Sequence, residues 1–128
     1  MTYKILVVED DKNMSTIISS ILKKEGYRID RVSEGKQAIE KIKTKDYDLI
    51  TLDYKLPDIN GIKVLEEVRR IKPFLKVIMI SAYGSPPVKS IAKKLKVYRF
   101  MDKPFDLNRF VQIVRGALAK KSQGDERR

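Results

Sequence analysis

The sequence predicts an α/β domain in which a doubly wound, five-stranded parallel sheet is covered by helices on both faces. Short runs rich in Val, Ile and Leu at 5–8, 49–52 and 77–80 are typical of strands buried on both faces. Segments with helical spacing of apolar residues separate the strands. Strands and helices therefore alternate along the chain, and this order favours right-handed crossovers and a parallel sheet. A length of 128 residues accommodates one such domain.

Two further segments are predicted to form the edge strands. Residues 28–32 and 98–101 alternate charged with apolar side chains, unlike the three apolar runs. Charged side chains are common on edge strands, where they discourage pairing with another chain. The interpretation is therefore a hydrophobic centre of three strands with a more polar strand at either side.

Five helices are predicted between and after these strands. Asp11 and Asp106 are suited to cap the first and last helices, Ser85 followed by Pro86 opens the fourth, and Pro73 prevents the third from continuing. The apolar positions that define the clearest helical faces are Met14, Ile17, Ile18, Ile21 and Leu22, then Ala38, Ile39 and Ile42, then Val64, Leu65, Val68 and Ile71, and finally Phe110, Ile113, Val114, Ala117 and Leu118.

Composition excludes several classes of protein. The chain is 42% hydrophobic and 35% charged, as in globular proteins, and its longest aliphatic runs are too short for a membrane span or a signal peptide. We therefore expect a cytoplasmic protein without a membrane partner. With no Cys and no His, disulfides, thiol nucleophiles and Cys or His zinc sites are excluded. Residues 1–120 are expected to form the folded domain and 121–128 a flexible basic tail.

Polar side chains gather where the predicted strands end. Glu9 and Asp10 follow the first strand, Asp53 the third, Ser81 the fourth and Lys103 the fifth. Ligands of such sheets bind at the carboxyl ends of the strands, where the strand order reverses. Crowded carboxylates resist ionisation unless a positive charge offsets them. Since only oxygen ligands are available, the expected ion is Mg²⁺.

Together these positions match a known family. Over residues 4 to about 119 the chain resembles the receiver domain of two-component response regulators. The resemblance implies a flavodoxin-like fold with five strand–helix units and strand order 2-1-3-4-5. The residues that carry it are Val8-Glu9-Asp10, Asp53 with Pro57 and Asn60-Gly61, Ser81-Ala82, and Lys103-Pro104-Phe105.

The resemblance also implies a role for each site residue. Asp53 is the implied phosphoacceptor, a carboxylate that becomes an acyl phosphate. Lys103 is implied to pair with one phosphoryl oxygen, and the Ser81 hydroxyl to donate a hydrogen bond to another. The peptide bond before Pro104 is implied to be cis.

A magnesium site and a switch follow from the same resemblance. Glu9, Asp10, Asp53 and the main-chain carbonyl of Lys55 are the implied Mg²⁺ ligands.

Phosphorylation is implied to couple Ser81 to Phe100 and to alter a surface formed by the fourth helix, fifth strand and fifth helix. Simple core packing is the alternative role of Phe100. Phenylalanine at this position lacks the hydroxyl group on which a tyrosine-dependent output would rely.

The function expected from this resemblance is that of a stand-alone receiver. It would accept a phosphoryl group from a histidine kinase or phosphotransfer protein and signal to a downstream protein partner. It would not be an enzyme beyond assisting its own phosphorylation and dephosphorylation. A receiver fragment of a longer regulator is the first alternative, since it would have the same sequence features.

The sequence also admits other functions. The net charge of +11 admits a basic nucleic-acid-binding module, which we do not favour because no binding motif accompanies the lysines. An acidic protein partner or a solvated lysine face explains the charge equally well. A haloacid dehalogenase type phosphatase would need a second acid where Lys55 stands. A flavin-binding protein would not place acids in the first loop, where a phosphate would bind.

Overall fold

The computed structural model describes residues 2–119, in which strands and helices alternate as predicted. The expected tail at 121–128 lies outside the described residues. No helix within 2–119 is long and apolar enough to cross a lipid bilayer. The elements are β1 (Lys4–Val8), α1 (Lys12–Lys24), β2 (Arg28–Val32), α2 (Gly35–Thr44), β3 (Leu49–Asp53), α3 (Gly61–Ile71), β4 (Lys76–Ser81), α4 (Pro86–Lys94), β5 (Arg99–Asp102) and α5 (Leu107–Ala119).

The five strands form one parallel sheet in the order β2-β1-β3-β4-β5. This confirms the predicted fold class and strand order, with β2 and β5 at the edges. The fifth strand begins at Arg99 and ends at Asp102, one residue later than expected, although Tyr98 already donates its N–H to the Val77 carbonyl of β4 at 2.8 Å. Strand ends commonly vary by this amount.

Two hydrophobic layers explain why the central strands are continuously apolar. Successive side chains of a strand point to opposite faces. Leu6 and Val8 therefore pack with α2, α3 and α4, whereas Ile5 and Val7 pack with α1 and α5. Each layer is fully buried along β1, so no position of that strand after Lys4 tolerates a polar side chain without a partner.

The predicted helix caps are confirmed. The Asp11 carboxylate accepts a hydrogen bond from Met14 N–H at 3.0 Å, and the Ser85 hydroxyl accepts one from Val88 N–H at 3.4 Å. Asp106 accepts the Asn108 N–H at 2.7 Å. These side chains satisfy backbone donors that the first turn of a helix leaves without a partner.

The buried face of α1 differs from the predicted one. Ile17 belongs to the apolar pattern, yet it is 44% exposed. Two serines take part in the buried stripe instead, and their small side chains let the helix approach the sheet. The stripe consists of Ser15, Ile18, Ser19 and Leu22. Hydrophobic spacing alone could not find it because serine counts as polar.

Arg69 joins α3 to the turn between α4 and β5. Its guanidinium donates hydrogen bonds to the carbonyls of Leu95 (2.6 Å), Leu75 (2.6 Å) and Lys96 (3.0 Å). Burial lowers the pKa of this guanidinium from its ordinary value. The contacts satisfy carbonyls that the end of α4 leaves without helical partners. Arg69 therefore ties α3 to the turn that precedes β5.

Lys96, in that same turn, has a left-handed backbone with φ of 60°. A side chain in this region costs about 1–2 kcal/mol that glycine avoids, whereas glycine costs about 0.5–1 kcal/mol in lost chain entropy. We expect Lys96→Gly to raise the free energy of unfolding by about 0.5–1 kcal/mol, measured by urea denaturation. Lys93→Gly, at an exposed helical position in the last turn of α4, is the matched control and is expected to lower it by about 0.5–1 kcal/mol. Equal losses in the two variants would contradict the strain at Lys96.

Candidate functional site

The candidate site lies at the carboxyl edge of the sheet, between β1 and β3. The helix that follows β1 packs on one face, and the helix that follows β3 packs on the other. The chain thus leaves the two neighbouring strands in opposite directions and opens a crevice between their ends. Glu9 and Asp10 follow β1, and Asp53 is the last residue of β3.

Three carboxylates meet in this crevice. One oxygen each of Glu9, Asp10 and Asp53 lies within 4.8 Å of the other two. Glu9 and Asp53 are 3% and 5% exposed, whereas Asp10 is open to solvent. The structure therefore brings together the three acids that the strand-end argument placed here.

Lys103 reaches the same crevice from the end of β5. Its Nζ atom lies 2.9 Å from Glu9 Oε1 and 2.9 Å from Asp53 Oδ2. The backbone N–H of Lys103 donates to the Ser81 carbonyl at 2.8 Å, and this bond joins the end of β5 to the end of β4. The peptide bond between Lys103 and Pro104 is cis, as the resemblance implies. One ammonium group therefore faces two buried carboxylates.

The electrostatic balance of the crevice is incomplete with Lys103 alone. Burial, together with the neighbouring Asp53 carboxylate, raises the pKa of Glu9 to about 7, although the Lys103 contact opposes this. Burial lowers the pKa of the Lys103 ammonium, but its hydrogen bonds to Asp53 and Glu9 outweigh burial and raise it overall. A crevice in which burial opposes the ionisation of Glu9 is suited to a further positive charge.

The geometry of the acids suits a small divalent cation. Around Mg²⁺, with bonds of about 2.1 Å, opposite oxygens are about 4.2 Å apart and adjacent oxygens about 3.0 Å apart. The three carboxylate oxygens, all within 4.8 Å of one another, are near enough to reach one such ion by side-chain rotation. The donor set therefore fits a hard cation that keeps several waters.

Close backbone packing positions Asp53. Lys55 donates its N–H to Asp53 Oδ1 at 3.2 Å, so the backbone of Lys55 lies beside the carboxylate. Gly61, the first residue of α3, donates its N–H to the Tyr54 carbonyl at 2.6 Å. A Cβ at Gly61 would lie 2.6 Å from the Asp53 carbonyl oxygen, so only glycine fits. This explains physically why glycine follows Asn60 in the sequence pattern.

Ser81 and Phe100 lie on either side of the loop between β4 and α4. Ser81 is fully buried, and its hydroxyl oxygen accepts the Tyr83 N–H at 2.8 Å. The ring of Phe100 is half-buried beside Gly84, where a Cβ would lie 2.7 Å from the Phe100 Cε1 atom. Phe100 also packs against the core, so both roles considered for it remain compatible with its position.

One contact near the crevice was not expected from the motifs. The Lys55 ammonium lies 4.8 Å from the centre of the Tyr83 ring. It joins the loop after β3 to the loop after β4. No spacing rule links these residues, because their contact depends on how the two loops leave the sheet.

Comparison with known proteins identifies the family. The model of the response regulator receiver domain matches residues 5–115. Sporulation initiation phosphotransferase F of Bacillus subtilis is 31% identical over 122 residues, covering 95% of this chain and 98% of that protein. Transcriptional regulatory protein ZraR of Klebsiella oxytoca is 33% identical over 115 residues, covering 90% of this chain. The chain spans about a quarter of ZraR, 26% of its length.

Comparison with solved structures leads to the same family. A CheY-like response regulator receiver domain protein from Methanospirillum hungatei superimposes with a TM-score of 0.90 at 25% identity, covering 93% of this chain and 95% of that one. The predicted resemblance is thereby confirmed over nearly the whole described chain. The chain belongs to the family of response regulator receiver domains.

Proposed function

We propose that this receiver domain is a Mg²⁺-dependent phosphoacceptor that takes a phosphoryl group on Asp53 from a histidine kinase or a phosphotransfer protein. The observation that supports this most directly is the crevice itself, where three carboxylates and Lys103 converge. A buried aspartate beside a cation and a metal-compatible set of oxygens is suited to nucleophilic attack on phosphorus.

The proposed reaction is an in-line transfer. An Asp53 carboxylate oxygen attacks the phosphorus of a phosphohistidine, an O–P bond forms and the P–N bond breaks. The departing electron pair stays on the imidazole nitrogen of the donor, which then takes up a proton. Mg²⁺ held by Glu9, Asp10, Asp53 and the Lys55 carbonyl would neutralise charge on the phosphoryl oxygens.

Two further side chains would hold the product. Lys103, now bonded to Asp53, would turn to a phosphoryl oxygen, and Ser81 would donate its hydroxyl to another. Withdrawal of Ser81 towards the phosphoryl group would change the space beside Phe100. The surface formed by α4, β5 and α5 would then favour a second arrangement and a downstream protein partner. The chain would thus be the substrate of its donor and assist its own turnover rather than act as an enzyme on other molecules.

Mass spectrometry of the intact protein tests the proposal. The wild type is expected to gain about 80 Da, one phosphoryl group, with acetyl phosphate and Mg²⁺, and to gain nothing without Mg²⁺. Asp53→Ala is expected to gain nothing. Asp46→Ala, which removes an exposed carboxylate paired with Lys72, is the matched control and should behave as the wild type.

Two results would contradict the proposal. One is a mass gain that persists in Asp53→Ala or does not require Mg²⁺. The other is the absence both of a mass gain and of binding to beryllofluoride, which imitates the phosphoryl group without needing a competent donor.

A further inference from the structure

The positive charge of the chain is concentrated in one part of the sequence. Between Glu67 and Asp102 there are nine basic residues and no acidic one. The rest of the chain, with a net charge of only +2, is nearly balanced. The nine are Arg69, Arg70, Lys72, Lys76, Lys89, Lys93, Lys94, Lys96 and Arg99.

The structure divides these cations into two groups. Several are engaged elsewhere, such as Arg69 with backbone carbonyls and Arg70 and Lys72 with carboxylates. The others cluster on α4, on β5 and in the turn between them, where they are exposed and form no ion pair within residues 2–119. This second group consists of Lys93, Lys94, Lys96 and Arg99.

A groove of about 350 Å³ adjoins this group, between β5 and the start of α5. Apolar side chains line it, including Phe105 and Ile113, and two cations do so as well, Arg99 and Arg109. Arg99 stacks on the ring of Tyr98 at 5.3 Å. Like Arg99, Arg109 forms no ion pair in the part of the chain that the structure describes.

The two acids of the groove already have partners. Asp102 bonds to the Lys89 ammonium at 2.9 Å. Asp106 accepts N–H groups of the first turn of α5, at 2.7 Å from Asn108 and 3.4 Å from Arg109. The charges that the groove can offer to a ligand are therefore those of Arg99 and Arg109, on an apolar lining. Arginine binds carboxylates through two parallel N–H groups.

We propose that this groove binds an acidic segment of a partner protein, with an apolar side chain in the groove and carboxylates on Arg99 and Arg109. The proposal rests on the proposed function in one respect, because the groove lies on the surface that phosphorylation of Asp53 would alter. Pro104, which lines the groove, directly follows Lys103, so a bound segment contacts the backbone that positions the crevice ammonium. The remaining lysines of the cluster would steer an acidic partner towards the groove.

Two other occupants fit less well. A nucleic acid binds mainly through its phosphates, which gain nothing from the apolar lining of the groove, such as Phe105 and Ile113. A peptide can instead place an apolar side chain on that lining and its carboxylates on the arginines. A second copy of this chain would bring its own net charge of +11.

Fluorescence anisotropy with labelled probes tests the inference. The probe is a short fluorescein-labelled peptide in which Asp and Glu alternate with Leu. Its controls are the same peptide with Asn and Gln, and a labelled single-stranded oligonucleotide. We expect the acidic peptide to bind and the double variant Arg99→Gln/Arg109→Gln to weaken it about tenfold or more. The matched control Lys36→Gln/Lys43→Gln removes two exposed charges from α2 and should leave binding unchanged.

The outcomes separate this inference from the proposed function. Equal binding by the wild type and the arginine variant, or tighter arginine-dependent binding of the oligonucleotide, would overturn the inference. The protein could also bind the peptide through the arginines and yet react with neither acetyl phosphate nor beryllofluoride. That result would support the docking groove and refute the proposal that Asp53 accepts a phosphoryl group. A competent phosphoacceptor that binds no acidic peptide, with or without beryllofluoride, would refute the groove alone.

Discussion

Replacement of Lys103 with methionine is expected to lower the free energy of unfolding by about 3 kcal/mol near pH 8 in metal-free buffer. The Lys103 ammonium contacts Glu9 and Asp53 at 2.9 Å each. Methionine keeps the approximate volume of the side chain but leaves both carboxylates buried without their cation. Breaking a buried pair from one side costs more than the pair itself contributes, because the remaining charge is not solvated.

The loss is expected to depend on pH in a defined direction. Burial and Asp53 raise the pKa of Glu9 in the folded protein to about 7, from 4.5 in an unfolded chain. The folded state therefore holds a proton that the unfolded state has lost, and stability falls as the pH rises from about 4.5 through 7. Without the Lys103 ammonium, the pKa of Glu9 rises further. The difference in stability between the two proteins should thus be smaller near pH 4.5 than above pH 7, while the contact of Lys103 with Asp53 contributes throughout.

Urea denaturation between pH 4.5 and 8 measures this difference, and added Mg²⁺ should recover part of the loss at high pH. Lys89→Met is the matched control because it removes an exposed ion pair with Asp102, 2.9 Å long, which contributes less than about 1 kcal/mol. A loss at Lys103 that is the same at both ends of the pH range would show that the ammonium stabilises the fold by packing rather than by charge.

Gly61→Ala is expected to impair both stability and phosphorylation. Its added Cβ would lie 2.6 Å from the Asp53 carbonyl oxygen and 2.8 Å from Tyr54 Cα. Both are backbone atoms, so the end of β3 or the start of α3 must move. We expect a loss of about 1–3 kcal/mol in the free energy of unfolding. Since displacement of a reacting group by about 1 Å costs up to a hundredfold in rate, phosphorylation by acetyl phosphate should slow at least tenfold.

The control for this variant is Gly116→Ala, in α5. There the added Cβ would meet the Tyr98 hydroxyl at 3.3 Å, a side-chain atom able to shift. We expect stability within about 1 kcal/mol of the wild type and an unchanged rate, because alanine also favours the helix. A Gly61→Ala protein that unfolds and reacts as the wild type does would show that β3 and α3 are not packed as tightly as described.

The sheet could be predicted from the sequence because its signals are local. The runs at β1, β3 and β4 are apolar on both faces, and such strands belong at the centre of a covered parallel sheet. Helix starts were equally visible, since an Asp or Ser cap acts within one turn. The exposure of Ile17 was not visible, because it depends on two small serines that allow close packing of α1.

Long-range polar contacts escaped prediction for a related reason. Arg69 lies on an amphipathic helix, where an arginine is ordinarily solvated, and its three carbonyl partners come from other segments. The left-handed backbone conformation of Lys96 could not be predicted either, because a lysine does not indicate a positive φ in the way that a glycine does.

For the candidate site, the sequence predicts which side chains come together, because the carboxyl ends of parallel strands lie at one edge of the sheet. Which carboxylates Lys103 contacts depends on side-chain positions across the whole sheet, and no sequence pattern contains them. The roles of all the site residues stay predictions: Asp53 as phosphoacceptor, Glu9, Asp10 and the Lys55 carbonyl as metal ligands, and Lys103, Ser81 and Phe100 in binding and switching.

The contact between Lys55 and Tyr83 is a weak link between the loops that follow β3 and β4. Both side chains are exposed, with Tyr83 at 61%, and the ammonium lies 4.8 Å from the ring centre. An exposed contact of this kind stabilises by about 0.5–1 kcal/mol, so about 15–30% of molecules have it broken at any moment. Exposed side chains change rotamer within picoseconds to nanoseconds. The side chains of Lys55 and Tyr83 therefore separate and rejoin on that timescale, and their contact does not hold the two loops together for longer.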